Sequence, residues 1–275
     1  MFHLERLHPG LGNKAYKLGP LLLDARVKKA ETLVSIGGVW SNHLHALAIL
    51  GERQGFKTAA FVREVEGAQL SAMLKDVQSW GMQLHYLSRS DYRRRDDPAF
   101  INQLMRCYPA GYFIPEGGSN ALGVSGAEGI LQDLDLTEAQ FDHLVLPVGT
   151  GGTMAGLLRV LRGPCHVIGV SAVRRVEQQT QDIQAWVASR LDRGVTYELI
   201  PEVHFGGYAS CPPNLIERIR NWEAKFGFDL EPVYGAKAMS VALSMKASGE
   251  LPGETVLLHT GGLQGRRGFP ELSQT

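Results

Sequence analysis

The chain has 275 residues, with 28 basic and 28 acidic side chains and 44% hydrophobic residues. That length suits one large domain or two ordinary ones, and the charge balance removes the electrostatic reason to bind nucleic acid or an anionic membrane surface. Cys107, Cys165 and Cys211 show no paired spacing, so a disulfide framework and a metal-thiolate site are not expected; each reads as a small buried apolar residue.

The opening MFHLERLHPG carries Glu5 and no apolar core, so it does not read as a signal peptide. No apolar run approaches a membrane span, and a soluble cytoplasmic protein is the expectation. Gly12-Asn13-Lys14-Ala15-Tyr16-Lys17-Leu18 follows, with helical spacing over 18–29. The helix dipole disfavours a cation at a helix start. Lys14 is therefore either a surface lysine on a frayed first turn or an amine that this environment keeps neutral and nucleophilic. A strand over 32–38 ends in Gly37-Gly38, and Ser41-Asn42 opens a helix over 41–54. Both residues are good N-caps; in the functional alternative Asn42 bonds a ligand oxygen and Ser41 faces a substrate.

A strand over 58–64, a helix over 68–80 and a strand over 83–88 come next. Arg93-Arg94-Arg95 is flanked by Asp91, Asp96 and Asp97 and reads as a solvated helix face. A strand over 112–116 ends in Gly117-Gly118, before a helix over 121–132. The apolar strand 143–149 runs into Gly149-Thr150-Gly151-Gly152-Thr153-Met154 and a helix over 153–161. Glycines let backbone N–H groups approach an anion and the helix start adds its dipole, so this loop reads as a phosphate cradle. No Lys-Ser/Thr pair follows, and Met154 stands where a dinucleotide fingerprint needs glycine; a phosphate monoester cofactor is favoured over a nucleotide. The remaining elements are a strand over 166–172, helices over 178–191, 214–226 and 236–247, and a strand over 255–261 ending in Gly261-Gly262.

Alternating strands and helices predict an α/β fold: two open, mostly parallel sheet domains with helices on both faces. The smaller domain is expected over 18–111, and the larger from 1–17 and 112–275. Glycine-bearing strand ends point to one ligand crevice fed by several loops.

The blocks GNKAYKL, TLVSIGGVWSNH, PEGGSNALG, VGTGGTMAG, FGGY, PVYGAKAM and LLHTGG together resemble the 1-aminocyclopropane-1-carboxylate deaminase / D-cysteine desulfhydrase family. That family lies within the fold-type II pyridoxal phosphate enzymes related to the tryptophan synthase β subunit. The blocks span nearly the whole chain in the family's order. The resemblance implies pyridoxal 5'-phosphate as cofactor, a homodimer and a small amino-acid substrate. It makes Lys14 the Schiff-base lysine and Asn42 the partner of the pyridine 3′-oxygen. Gly149, Thr150, Gly151, Gly152 and Thr153 become the phosphate loop, and Ser41, Tyr208 and Tyr234 the substrate-side hydroxyls. The family usually begins with a longer segment before the strand leading to GNK, so the first edge of the larger domain is expected to be shortened.

Two departures, at Gly235 and Trp40, bear on the reaction. Ring-opening deaminases carry Glu after the second tyrosine, where this chain has Gly235. Thr260 matches a position where desulfhydrases place a hydroxyl near the ring nitrogen, which supports a weaker electron sink. The expectation is β-elimination giving a 2-oxo acid and ammonia, with cyclopropane opening, a non-catalytic cofactor-binding protein and a nucleotide-binding protein as alternatives. Trp40 replaces Gln before Ser-Asn and is expected to alter the pocket; His43 and His45 read as structural.

Overall fold

The computed structural model describes residues 1–63, 69–173, 175–201, 205–207 and 209–272. Among the described residues nine strands form two sheets in which every pairing is parallel. They are β1 (Phe2–His3), β2 (Thr32–Gly37), β3 (Lys57–Arg63), β4 (Gln83–Leu87), β5 (Gly111–Ile114), β6 (His143–Val148), β7 (Cys165–Ser171), β8 (Val195–Ile200) and β9 (Thr255–His259). The helices are α1 (Leu4–Leu7), α2 (Lys14–Val27), α3 (Asn42–Gln54), α4 (Ala72–Ser79), α5 (Arg89–Tyr92), α6 (Pro98–Met105), α7 (Ala121–Ala127), α8 (Ile130–Asp133), α9 (Gly152–Val160), α10 (Val176–Val187), α11 (Pro213–Phe226) and α12 (Gly235–Ser248). Among the described residues no helix is long and apolar enough to cross a membrane.

The larger sheet has the order β1-β9-β6-β7-β8, and the smaller β4-β3-β2-β5. Both are covered on two faces. Along β6, Leu144, Leu146 and Val148 join one core with Met154 and Leu157 of α9, while Val145 joins another with Ala238 and Ala242 of α12. Period-2 side-chain alternation makes this split, and it is why the strand reads as a continuous apolar run. In the smaller sheet Leu33, Ala60 and Val62 pack with α2 and α3, and Val34, Ile36 and Phe61 pack with Phe100 of α6.

Each sheet reverses its strand order once, between β2 and β5 and between β6 and β9. The carboxyl ends of strands at such a reversal form the usual ligand crevice. Four loops are thereby placed at one cleft: 38–41 after β2, 115–120 after β5, 149–151 after β6 and 260–262 after β9.

The structure differs from the sequence reading in four places. The expected smaller domain stops at 111, yet β5 runs to Ile114 and pairs with β2. β8 was not anticipated: it is an edge strand with alternating burial, VTYELI, and lacks the apolar run of its neighbours. The segment around Arg93-Arg94-Arg95 is a turn between α5 and α6, in which Arg93 and Arg94 are exposed and Arg95 is half-buried. Cys107 is exposed, against the expectation of burial, while Cys165 is buried.

Lys14 opens α2, and α2 must lie close to α7 for its first turn to face the cleft. Gly126 allows this, because a Cβ there would collide with the Tyr16 carbonyl oxygen of α2. Gly126→Ala should lower stability by about 1–3 kcal/mol through overpacking. Urea denaturation of the variant beside the parent protein checks this; equal midpoints would contradict the close approach.

Candidate active site

The cleft between the two sheets holds a cavity of about 640 Å³ lined by Lys14, Ser41, Asn42, Gly149, Thr150, Gly151, Thr153, Tyr234 and Thr260 among others. The structure thus brings together all the expected site residues except Gly152 and Tyr208. Gly152 does not line the cavity, but a Cβ there would stand 3.0 Å from the Lys17 amine. Tyr208 lies outside the described residues.

Lys14 is fixed by its neighbour Asn13. The Lys14 Nζ donates to Asn13 Oδ1 at 2.8 Å, and Asn13 Nδ2 donates to Thr153 Oγ1 at 2.8 Å. The Asn13 backbone N–H bonds the Thr260 carbonyl at 2.9 Å. One residue therefore ties the lysine to the loops after β6 and β9. Burial pulls the Lys14 amine down to about 8, and the Glu231 carboxylate acts in the opposite direction.

Lys17, which sequence reasoning passed over, is one turn further along α2. It is 1% exposed. Its Nζ donates to Ser119 Oγ at 2.5 Å and lies 3.5 Å from Thr150 Oγ1. Burial, then the charge of Lys14, push its amine well below the usual lysine range. Among the described residues no carboxylate pairs with it. α9 starts at Gly152, beside Lys17, after Gly151 in the left-handed region. A buried amine, the start of α9 and two hydroxyls thus converge on one spot without a counter-charge among the described residues, which suits an anion. Helical spacing is the signal that could have found Lys17, since i and i+3 share a face.

The cradle is itself braced. Gln179, 4% exposed on α10, donates through Nε2 to the Gly149 carbonyl and accepts from Ser171 Oγ at 2.7 Å. That holds the carbonyl to one side of the loop.

Ser41 caps α3, its Oγ accepting from Leu44 N at 3.2 Å, and it also lines the cavity. The two alternatives drawn from the sequence therefore coexist. Asn42 Oδ1 accepts from Gln264 Nε2 at 3.0 Å, which leaves the Asn42 amide donor for the cavity. His43 is 3% exposed. The Ser35 hydroxyl gives its proton to the Ile114 carbonyl at 2.7 Å and so accepts from His43 Nε2 at 2.8 Å. His43 Nδ1 then carries the lone pair, with no partner among the described residues, in a side chain that lines the cavity. His45 is structural, between the Gly10 carbonyl and Asp76.

Two expectations are corrected. Trp40 does not line the cavity; its indole lies against Gly268, 3.1 Å from where a Cβ would stand. Arg95 is not solvated: its Nε pairs with Glu116 Oε2 at 2.7 Å, and it lines the cleft. Gly235 leaves no gap. The His259 ring fills the space, with Cδ2 2.5 Å from where a Cβ would stand. The nearby carboxylate is Glu231, 1% exposed, which accepts from the backbone N–H groups of Val233, Tyr234 and Gly235 at 2.8, 2.6 and 3.1 Å. Burial raises it to about 7 against those hydrogen bonds.

Known proteins place this geometry. A Thermotoga maritima protein provisionally assigned as 1-aminocyclopropane-1-carboxylate deaminase is 32% identical over 273 residues, covering 93% of this chain and 85% of its own. The D-cysteine desulfhydrase of Klebsiella pneumoniae is 29% identical over 269 residues, covering 91% and 82%. The crystal structure of an ACC deaminase homologue superimposes with a TM-score of 0.78 at 25% identity, covering 95% of this chain and 84% of that one. The pyridoxal-phosphate dependent enzyme family matches residues 1–261, and this chain belongs to it.

Proposed function

We propose that the protein is a pyridoxal phosphate-dependent lyase that eliminates the β-substituent of a small amino acid, with Lys14 as cofactor lysine and proton acceptor, releasing a 2-oxo acid and ammonia. The relatives named above act, by their names, on D-cysteine and 1-aminocyclopropane-1-carboxylate. The observation that carries the choice of reaction is position 235. No carboxylate stands there, and the His259 ring occupies the room one would need. A hydroxyl such as that of Thr260 supports a weaker electron sink, sufficient where the bond that breaks has a good leaving group. A homodimer in the cytoplasm accords with this reading.

The residues fit the cofactor. Its phosphate would answer the uncompensated charge of Lys17 and the start of α9, where the hydroxyls of Thr150, Thr153 and Ser119 are available to it. The Asn42 amide, oriented by Gln264, would donate to the ring oxygen. When bound, pyridoxal phosphate supplies the sink for the electron pair left at Cα. Lys14 Nζ takes the Cα proton. With its amine at about 8 it is mainly neutral above that pH, so the base form grows through the range where an ordinary lysine stays charged. Ser41 and Tyr234 meet the substrate from opposite sheets, and Asn13 holds the lysine amine in register with the cradle.

Three outcomes follow. Borohydride reduction of the purified holoprotein should fix the cofactor on Lys14, and a screen of D- and L-β-substituted amino acids should release a 2-oxo acid; a label elsewhere, or no release from any substrate, contradicts the reading. Lys17→Met should weaken cofactor binding about 10- to 100-fold, the worth of a charge-assisted hydrogen bond, measured by equilibrium titration of the visible absorbance. In the apoprotein, competitive acetylation read by mass spectrometry should titrate Lys14 near pH 8, with reactivity rising as pH rises; a midpoint near that of an exposed lysine would remove the base from the mechanism.

A further inference from the structure

The wall of the cleft on the smaller-sheet side carries a charge that the reaction described above does not use. β3 ends at Arg63, which lines the cavity. Its guanidinium lies 6.0 Å from the centre of the Tyr92 ring, and that of Arg95 lies 4.9 Å from the same ring. One aromatic ring therefore gathers two cations. The charge of Arg95 is answered by Glu116, whose Oε2 accepts from Arg95 Nε at 2.7 Å and whose Oε1 accepts from the Tyr92 hydroxyl at 2.5 Å. Arg175, from the larger-sheet side, is answered by Asp96 at 3.0 Å. Asp182, also on that side, accepts from Gln178 at 2.9 Å. Among the described residues the Arg63 side chain has no hydrogen bond and no ion pair; its guanidinium faces only the ring of Tyr92.

The strand register says where this cation stands. Val62 pairs with Gly37 across the β2–β3 ladder, so Arg63 sits level with Gly38, one strand-width of about 4.8 Å from the loop that carries Ser41 and Asn42. A substrate whose carboxylate lies near Ser41 would have this wall within reach of its side chain. A guanidinium's planar fork fits an oxyanion through two parallel N–H bonds.

We propose that Arg63 forms a subsite for an anionic substituent on the substrate's Cβ, so that the preferred substrate is an amino acid bearing a phosphate or sulfate ester there. The inference rests on the elimination reading above and deepens it. The Cα–H bond breaks with its proton going to Lys14 Nζ. The electron pair forms the Cα=Cβ double bond, and the Cβ–O bond breaks with its pair leaving on the ester oxygen. The departing group gains one negative charge beside Arg63, which stabilises the bond breaking as well as binding. Water then displaces nitrogen, giving the 2-oxo acid and ammonia, with phosphate or sulfate as the other product. Such esters are good leaving groups, which is what a weak electron sink requires.

The test compares O-phosphoserine and O-sulfoserine with O-acetylserine and β-chloroalanine, both enantiomers of each, on holoenzyme and on the Arg63→Met and Arg63→Lys variants. Arg63→Met should lower the ratio of kcat/KM for the anionic esters to that for O-acetylserine about 10- to 100-fold, and Arg63→Lys should recover part of it. A ratio unchanged by either variant overturns the subsite while leaving elimination intact. Binding is read separately with O-phospho-α-methylserine, which has no Cα hydrogen and cannot react. Calorimetry should show an affinity for it that falls in Arg63→Met, with unchanged cofactor absorbance and melting temperature reporting an intact fold. Affinity lost only in Arg63→Met, with no elimination from any of the four substrates, keeps the subsite and overturns the elimination reading. Equal affinity in both proteins overturns the subsite.

Discussion

Two lysine amines buried one helical turn apart are the constraint on which the rest of this site depends. Lys14 and Lys17 sit on the first turn of α2, near the start of α9, and Lys17 has hydroxyls but no carboxylate around it. A buried, unpaired ammonium costs several kcal/mol, and a second one nearby adds to that cost. The fold relieves part of it by lowering both amines' proton affinity. An anion at the start of α9 would relieve the remainder. On the proposed reading, cofactor binding and the chemistry of Lys14 are therefore linked: a phosphate that satisfied Lys17 would also tend to raise the amine of Lys14, and burial would have to hold it low.

Holding this arrangement takes distant parts of the chain. Asn13 bonds Lys14, Thr153 and the Thr260 backbone, so residues near the start, middle and end converge on one amide. Gln179 fixes the carbonyl side of the loop from α10, and Gly126 lets α7 press against α2. Asn13, Gln179 and Gly126 need touch neither cofactor nor substrate to set the distance between amine and anion. Positioning of this kind has energetic weight because a misplacement of about 1 Å in a reacting group costs on the order of 100-fold in rate.

The sequence was most legible where one physical cause dominated. Strands buried on both faces read as apolar runs, and β6, β7 and β9 were found within two residues of their ends. β8 escaped because an edge strand alternates and carries Glu198. The glycine-rich loop was legible because few backbones other than an anion cradle need that composition. Lys17, Gln179 and Glu231 were not, because what distinguishes them is burial, which a single sequence does not display. Arg95 misled for the converse reason: its neighbours Asp91, Asp96 and Asp97 suggested local neutralisation, yet its partner is Glu116, delivered by the loop after β5.

Position 235 shows why a single departure from a family pattern is a statement about several residues. The side chain that glycine omits is replaced in space by the His259 ring, which is 1% exposed and lies between the backbone N–H groups of Glu231 and Gly261, each 3.3 Å from a ring nitrogen. Burial pulls that imidazole down to about 3, so it is neutral and supplies no negative charge in place of a carboxylate. Glu231, four residues back, spends its carboxylate on the three N–H groups that open α12, including that of Gly235 itself. Restoring a carboxylate at 235 would thus require His259 to move, and with it the turn that ends in Thr260 and binds Asn13. The identity of residue 235 is coupled through His259 and Thr260 to the placement of Lys14, so on the proposed reading the strength of the electron sink and the position of the base were set together.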